Sequence, residues 1–343
     1  MTAPKKSRLA LVGTDSLQGR EIKRVLLAQG FPAAGIEFFD TDVTEEYSKL
    51  TEFGDEPKVI HGLAGASLEG KDLVFLAADR ETDRKYGRLA AKLDFKAIDL
   101  VEAFNDDPDA PLIVAGVNDD LLDGAESRVV ANPHPATIIL SHIFKPIVNR
   151  FGIAKAIVFI LQPASAFGGQ GVDELANQSV SLFRGTDLTT DVFKQQLAFN
   201  VLSHTESPNS DGFSPKERRL ITEVRRVLGR PGFPLSLSVV QASMFHTYAI
   251  MSYLELEKDT DIPGLQSLFQ ESPYLKQRAS KEPCSVSCIS VTGRDEVFIG
   301  QIKKEESFPR SFWIWSVADN LTRGSALNAM DIARKLLGLG GVS

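Results

Sequence analysis

The chain opens on a continuous apolar run, Arg8-Leu9-Ala10-Leu11-Val12, followed by a glycine-bearing turn from Gly13 to Gly19. Residues 20–29 then carry apolar positions at helical spacing. Short apolar runs follow at 36–39, 59–61, 73–78, 97–100 and 112–115, with a helical pattern at 83–93 between two of them. Runs that are apolar throughout belong to strands buried on both faces, so this part predicts a mainly parallel sheet flanked by helices. One more short run, Val129-Val130, enters the turn Ala131-Asn132-Pro133-His134-Pro135-Ala136-Thr137, and a helix is predicted over 137–150. Beyond it the pattern shifts to longer strand-like runs at 156–161, 235–244, 249–256, 285–291, 296–302 and 312–317, with helices at 172–183, 215–228 and 262–270. Long adjacent strands with helices to one side predict a mixed or antiparallel sheet whose other face is available for dimerisation. Leu327, Met330, Ile332, Leu336 and Leu337 form an apolar stripe, so a last helix over 320–337 is expected to return to the first domain.

The fold class expected is therefore α/β: a Rossmann-type parallel-sheet domain over 1–132 to which 320–337 returns, then an α+β dimerisation domain over 133–319. A length of 343 residues suits two domains, each with its own core. The net charge is −7, from 38 Lys and Arg against 45 Asp and Glu, without a basic stripe, which argues against nucleic acid or an anionic membrane as partner. The apolar run at 9–12 is far shorter than a signal-peptide core, and no stretch is long enough to span a bilayer. Only two cysteines occur, Cys284 and Cys288, which suits a reducing compartment, so the chain reads as cytoplasmic. No metal-binding cluster is expected.

Two turns carry candidate chemistry. In the first, Gly13, Asp15, Ser16, Leu17 and Gly19 occupy the place of a phosphate-cradling loop between a strand and a helix. Ser16 stands where a pyrophosphate would approach the backbone, and Asp15 adds negative charge, so NAD or NADP binding is possible but weakened; both residues also read as helix caps. The second predicted strand ends in Asp40-Thr41-Asp42. Acids there can hold a ribose 2′-hydroxyl and repel a 2′-phosphate, which disfavours NADP. In the second turn, 131–137, a strand meets a helix N-terminus, where backbone N–H groups favour developing negative charge. An enzyme would place a Cys or Ser there; this chain has Pro135. The alternative is a simple tight turn and helix start.

Gly13 to Gly19, Ala198-Phe199-Asn200-Val201, Asp295-Glu296-Val297-Phe298-Ile299-Gly300 and the 319–329 pattern Asp-Asn-Leu-Thr-Arg-Gly-Ser-Ala-Leu-Asn-Ala together resemble the aspartate-β-semialdehyde dehydrogenase family, nearly end to end. The resemblance implies an NADP-binding Rossmann domain, a homodimer, and reductive dephosphorylation of β-aspartyl phosphate through a cysteine thioester, within amino-acid biosynthesis. It also assigns positions. Pro135 stands at the nucleophile, Gln241 at the substrate-carboxylate Arg, Tyr248 at the general-base His, and Asn105, after Phe104, at a phosphate-binding Arg. Gln162 matches the active-site Gln, Glu217 an acid that holds the substrate amino group, and Arg219 a phosphate-holding Lys, while Asn320 falls in the cofactor-associated C-terminal motif.

Proline has no nucleophilic atom, glutamine cannot form the charged bidentate clamp, and an ordinary tyrosine is a poor base near neutral pH. The expectation is a family member that has lost the thioester reaction and is kept as a dimeric scaffold or binding protein, with a small anion as a possible ligand of Arg219. The alternative is an NAD(P)-dependent oxidoreductase of altered substrate, with Tyr248 or His134 as the acid.

Overall fold

The computed structural model describes residues 7–43, 49–124, 126–278 and 286–339. They form two compact units, Met1–His134 with Ser325–Ser343, and Pro135–Gly324.

The first unit holds β1 (Ser7–Val12), α1 (Leu17–Ala28), β2 (Ala33–Asp40), β3 (Lys49–Phe53), β4 (Glu56–Gly62), β5 (Leu73–Leu76), α2 (Arg80–Gly87), α3 (Ala90–Leu93), β6 (Lys96–Asp99) and β7 (Val129–Ala131), together with the C-terminal helix Leu327–Leu336. Its seven strands run in the order β3-β4-β2-β1-β5-β6-β7, parallel except for the β3–β4 hairpin. Leu9, Leu11, Phe38 and Phe75 of the sheet bury against Ile22 and Val25 of α1 and Met330 and Ile332 of the C-terminal helix. This is the Rossmann-type arrangement that the continuous apolar runs imply.

Three details differ from the expectation. The helical pattern at 83–93 is two helices, the first starting at Arg80 because Asp79 accepts the N–H groups of Glu81 and Thr82. The edge strand β3 has no apolar run, because its Lys49-Leu50-Thr51-Glu52-Phe53 sequence faces solvent along much of its length. Residues 112–115 make no strand, only a bridge from Leu112 to Ala131. There the Asn118 side chain takes the Val114 N–H and the Leu112 carbonyl, and the Asn328 side chain takes the Ala115 N–H and the Ile113 carbonyl. Buried backbone groups must be paired, and here side chains replace a ladder.

The second unit holds α4 (Pro135–Arg150), β8 (Ile153–Gln162), α5 (Gly168–Arg184), β9 (Val201–Leu202), α6 (Pro215–Val227), β10 (Leu235–Ala242), β11 (Tyr248–Leu256), α7 (Ile262–Gln270), β12 (Leu275–Gln277), α8 (Cys288–Val291), β13 (Val297–Lys304) and β14 (Ser311–Ala318). The sheet order is β12-β13-β14-β11-β8-β10-β9. The β8–β10 and β12–β13 pairs are parallel and the others antiparallel. Along β8, Ala156, Val158 and Ile160 are buried, while Ile157 and Phe159 between them are 49% and 45% exposed. That alternation marks a sheet covered by helices on one face and open on the other. Part of the run expected as a strand at 285–291 is instead the short helix α8, because Ser287 and Ser290 form a capping box over its first turn. Cys284 lies outside the described residues. No helix among the described residues is long and apolar enough to cross a membrane.

Candidate functional site

In the second unit, the parallel register of β8 and β10 pairs Gln162 with Gln241, so the two strands end with their amides side by side. Tyr248 starts the antiparallel neighbour β11, one step beyond the Ala249–Leu161 pair, and so reaches the same end. All three residues are about 1% exposed. The Gln162 Nε2 donates to Gln241 Oε1 at 2.8 Å, and the Gln241 Nε2 donates to the backbone carbonyls of Gln162 and Ala242. Gln162 Oε1 accepts from the Tyr248 hydroxyl at 3.3 Å and from Lys216 Nζ at 3.0 Å. Lys216 also lies over the Phe167 ring and 3.9 Å from Glu206.

Lys216 does not figure among the sequence candidates. Its signal is its place in the first turn of α6, where the helix dipole disfavours a cation unless a partner holds it. Glu217, beside it, faces away from the cluster. Its Oε2 accepts the Ser214 N–H in a capping box and its Oε1 accepts the Val239 N–H of β10, each at 2.8 Å. Arg219 lies 3.9 Å from Glu223, whose other oxygen accepts from the Thr137 hydroxyl at 2.8 Å.

Pro135 is the first residue of α4, a position that suits its fixed φ and missing N–H. The backbone of Gly324 closes over its ring, since a Cβ on Gly324 would sit 2.9 Å from Pro135 Cβ. Asn320 is buried, its Oδ1 accepting the Thr247 N–H at 2.9 Å and the Ser165 hydroxyl at 3.2 Å, which ties the 243–247 turn to the loop after β8. On α4, His142 is buried with its ring stacked on Tyr274, 4.4 Å between centroids. Burial, and then the Arg323 charge, hold His142 neutral, well below the usual imidazole range.

Asn105 belongs to the first unit, in the loop after β6, and is 3% exposed. That loop is organised by Asp99, whose carboxyl accepts the Val101 and Phe104 N–H groups. Burial raises Asp99 to about 6, and it raises Asp83, with Asp99 as a like-charged neighbour, well above the carboxylate range. His134 is 4% exposed and 3.9 Å from Glu102.

The glycine turn of the first unit is tight. Gly13 has φ +83°, and a Cβ there would fall 2.4 Å from the Ala77 backbone; one on Gly19 would fall 2.1 Å from the Gly13 carbonyl. Ser16 is the N-cap of α1 and its hydroxyl takes the Gly19 N–H at 2.9 Å, while Asp15 is exposed and Leu17 begins the helix. Asp40, the last residue of β2, accepts the Thr14 N–H on Oδ1 at 2.9 Å. Its Oδ2 is buried without a hydrogen-bond partner among the described residues, and burial, with Asp15 nearby, raises the group to about 6. Asp42 is exposed and paired with Lys49. An orphaned acceptor beside a glycine turn fits the ribose of a dinucleotide, so the adenosine half finds a suitable set of groups. The Ser16 hydroxyl uses one N–H that a pyrophosphate would otherwise take.

Comparison with known proteins places both units in one family. Residues 8–125 match the family model described as semialdehyde dehydrogenase, NAD binding domain, and residues 144–323, over half of the chain, match semialdehyde dehydrogenase, dimerisation domain. Aspartate-semialdehyde dehydrogenase of Aquifex aeolicus is 28% identical over 96% of this chain and 98% of its own length. The crystal structure of aspartate semialdehyde dehydrogenase II of Vibrio cholerae complexed with ASA has a TM-score of 0.91 at 24% identity, covering 98% of this chain and 99% of that one. The Candida albicans aspartate semialdehyde dehydrogenase with NADP has a TM-score of 0.70 at 13% identity, covering 98% and 100%; these two likenesses speak to fold. With both domain models matched in order along one chain, this protein belongs to the semialdehyde dehydrogenase family.

Proposed function

We propose that this chain has lost the family's thioester reaction and is retained as a homodimeric, ligand-binding scaffold. The observation that carries the reading is the closed cluster of Gln162, Gln241, Tyr248 and Lys216. The positions that resemblance assigns to a substrate-holding Arg and a general base carry neutral side chains, Gln241 and Tyr248, that each bond to the Gln162 amide, Gln241 also to backbone, at about 1% exposure. A buried polar cluster satisfied internally gains nothing from a substrate that would have to break it. Pro135, at the position assigned to the nucleophile, is packed into a helix start.

The open face of the second sheet, with Ile157, Phe159, Met251, Tyr253, Trp313 and Trp315, supports a dimer formed by two copies of that face. A dinucleotide would be held by Gly13 to Gly19 and Asp40, weakly because of Ser16, with NADP disfavoured by Asp40 and Asp42; when bound it supplies hydride chemistry. One feature favours the second reading, an oxidoreductase acting on a free carbonyl. The Tyr248 hydroxyl and the Lys216 ammonium meet on one oxygen, Gln162 Oε1, which places a hydroxyl able to act as the acid beside a cation.

The test is turnover of β-aspartyl phosphate or the semialdehyde with NAD(H) and NADP(H), in the native protein and in Pro135→Cys/Gln241→Arg/Tyr248→His. The native protein is expected to give background rates and the triple variant a measurable one; turnover by the native protein defeats the proposal. On the same preparations, sedimentation should give a dimer for the native chain and a monomer for Phe159→Glu.

A further inference from the structure

The first turn of α6 belongs to the amide cluster, and its last turn ends in a groove of its own. Leu220, Ile221, Val224 and Val227 are buried, so Arg218, Thr222, Arg225 and Arg226 share the opposite face at helical spacing. Residues 215–230 carry Lys216, Arg218, Arg219, Arg225, Arg226 and Arg230 against Glu217 and Glu223, a local excess hidden in the net charge of −7, and the expectation of no basic stripe fails here. Both acids are committed inward, Glu217 to the Ser214 and Val239 N–H groups and Glu223 to the Thr137 hydroxyl. At the end of the basic face lies a groove of about 470 Å³, lined by Thr222, Arg225, Arg226, Gly229 and Pro231. Arg225 stands about 14 Å along the helix axis from Lys216, so the groove is separate from the cluster.

Arginines at a helix C-terminus ordinarily cap its last carbonyls. Here backbone does so: the N–H groups of Leu228, Gly229 and Arg230 bond the carbonyls of Val224, Arg226 and Arg225 at 3.0, 3.1 and 2.9 Å, in a turn that Gly229 allows at φ +65°. Arg225 is half-buried, and its Nε donates to the Phe233 carbonyl at 3.0 Å, which fixes the guanidinium between helix and turn and leaves the donors of its two terminal nitrogens for a ligand. Arg230 is exposed between the lining residues Gly229 and Pro231. Neither Arg225 nor Arg230 has an ion-pair partner among the described residues, and Arg226 adds a third charge.

We propose that this groove binds a small molecule through a diphosphate group. Guanidinium forks match phosphate oxygens in pairs, and two forks here have no acid to hold. Three cations against the roughly half negative charge of the helix end leave an excess that a monoanion does not neutralise, which selects a multiply charged group. The space beyond the diphosphate, walled by Pro231 and the arginine stems, takes the organic part of the ligand. Three cations on one turn are too few to track a nucleic-acid backbone. The groove lies on the side of the sheet that α6 covers, so its occupation is independent of a dimer formed through the open face and of the state of the amide cluster.

The test is calorimetric titration of the full chain in metal-free, low-salt buffer at pH 8 with pyrophosphate, orthophosphate and sulfate. Pyrophosphate is expected to bind at least about tenfold more tightly than the other two. Arg230→Gln, which breaks no side-chain bond in the fold, should weaken pyrophosphate by about threefold or more, and Arg225→Gln/Arg230→Gln by at least about tenfold. Lys58→Gln/Arg128→Gln removes two exposed cations from the first unit and should leave the affinity within about twofold. The proposal is overturned if pyrophosphate does not bind, whether or not a short oligothymidylate does, if orthophosphate binds as tightly, or if the two double variants lose affinity equally.

Discussion

The end of β2 and the ends of β8 and β10 both bury polar side chains, and they treat them in opposite ways. At β2, Asp40 keeps one oxygen on the Thr14 N–H and leaves the other without a partner among the described residues, next to Asp15. At β8 and β10, Gln162 donates to Gln241, Gln241 donates to backbone, and Gln162 Oε1 accepts from Tyr248 and Lys216. An unsatisfied buried acceptor costs stability and is kept where a ligand or a proton supplies the missing donor. A satisfied cluster costs little and has no further capacity. The contrast lies between the two sites: the end of β2 leaves an acceptor open to a ligand, and the Gln162–Gln241 cluster is closed upon itself.

The sharpest way to strain the contrast is at Glu217, an acid of the second unit with both oxygens committed to backbone. Both oxygens hold buried backbone donors, one at the start of α6 and one on β10. Glu217→Ala should lower the unfolding free energy by about 3 kcal/mol, the cap plus a stranded N–H, as measured by urea unfolding. A loss below about 0.5 kcal/mol would mean that the Glu217 bonds are replaceable by water, and the picture of Glu217 as a tightly held structural acid would fail with them.

Glu217 also shows where sequence reading stops. Strand positions in the first unit follow from runs such as Leu73 to Ala78, because a strand buried on both faces admits little else. Residues 112–115 look the same on paper, yet Asn118 and Asn328 take their backbone groups, and a partner more than 200 residues along the chain leaves no local trace. The members Gln162, Gln241 and Tyr248 are legible through the family pattern, but their union depends on the β8–β10 register, which pattern alone does not set. A resemblance could give Glu217 a ligand-holding role, but only coordinates reveal that its oxygens are spent on Ser214 and Val239. Lys216, one residue before, is the one that points into the cluster.

Acid should separate the two units further. His142 is neutral in the folded second unit, its proton affinity depressed by burial and by Arg323. Below pH 6.5 the unfolded chain takes up a proton that the fold refuses, so stability falls as pH falls. Both tryptophans, Trp313 and Trp315, lie on β14 of this unit, so indole emission reports its melting alone. The emission-detected transition should drop between pH 6.5 and 5 in the native protein, and His142→Phe should flatten that part of the curve. An unchanged slope in the variant would remove His142 as the cause.

Asp40 should respond with the opposite sign and the smallest effect. Its folded value of about 6 lies above the ordinary 3.8, so the fold holds the proton more readily than the unfolded chain does. Stability is then highest near pH 4, declines as pH rises through the window to about 6, and stays at the lower level above it. Asn at this position is neutral throughout and still accepts from Thr14. Asp40→Asn should therefore be more stable than the native protein at pH 8 by about 1 kcal/mol, less than the full shift would allow because Asn also leaves an amide to be satisfied, and the gain should vanish at pH 4. Amide exchange of β1 and β2 follows this unit where tryptophan cannot. A saturating concentration of NAD should reverse the ranking at pH 8, since the nucleotide binds the native carboxylate more tightly than the amide and stabilises the folded state in proportion. If Asp40→Asn instead destabilises the free protein at pH 8, the carboxylate is held by a donor in the fold itself, and the contrast between the two sites disappears.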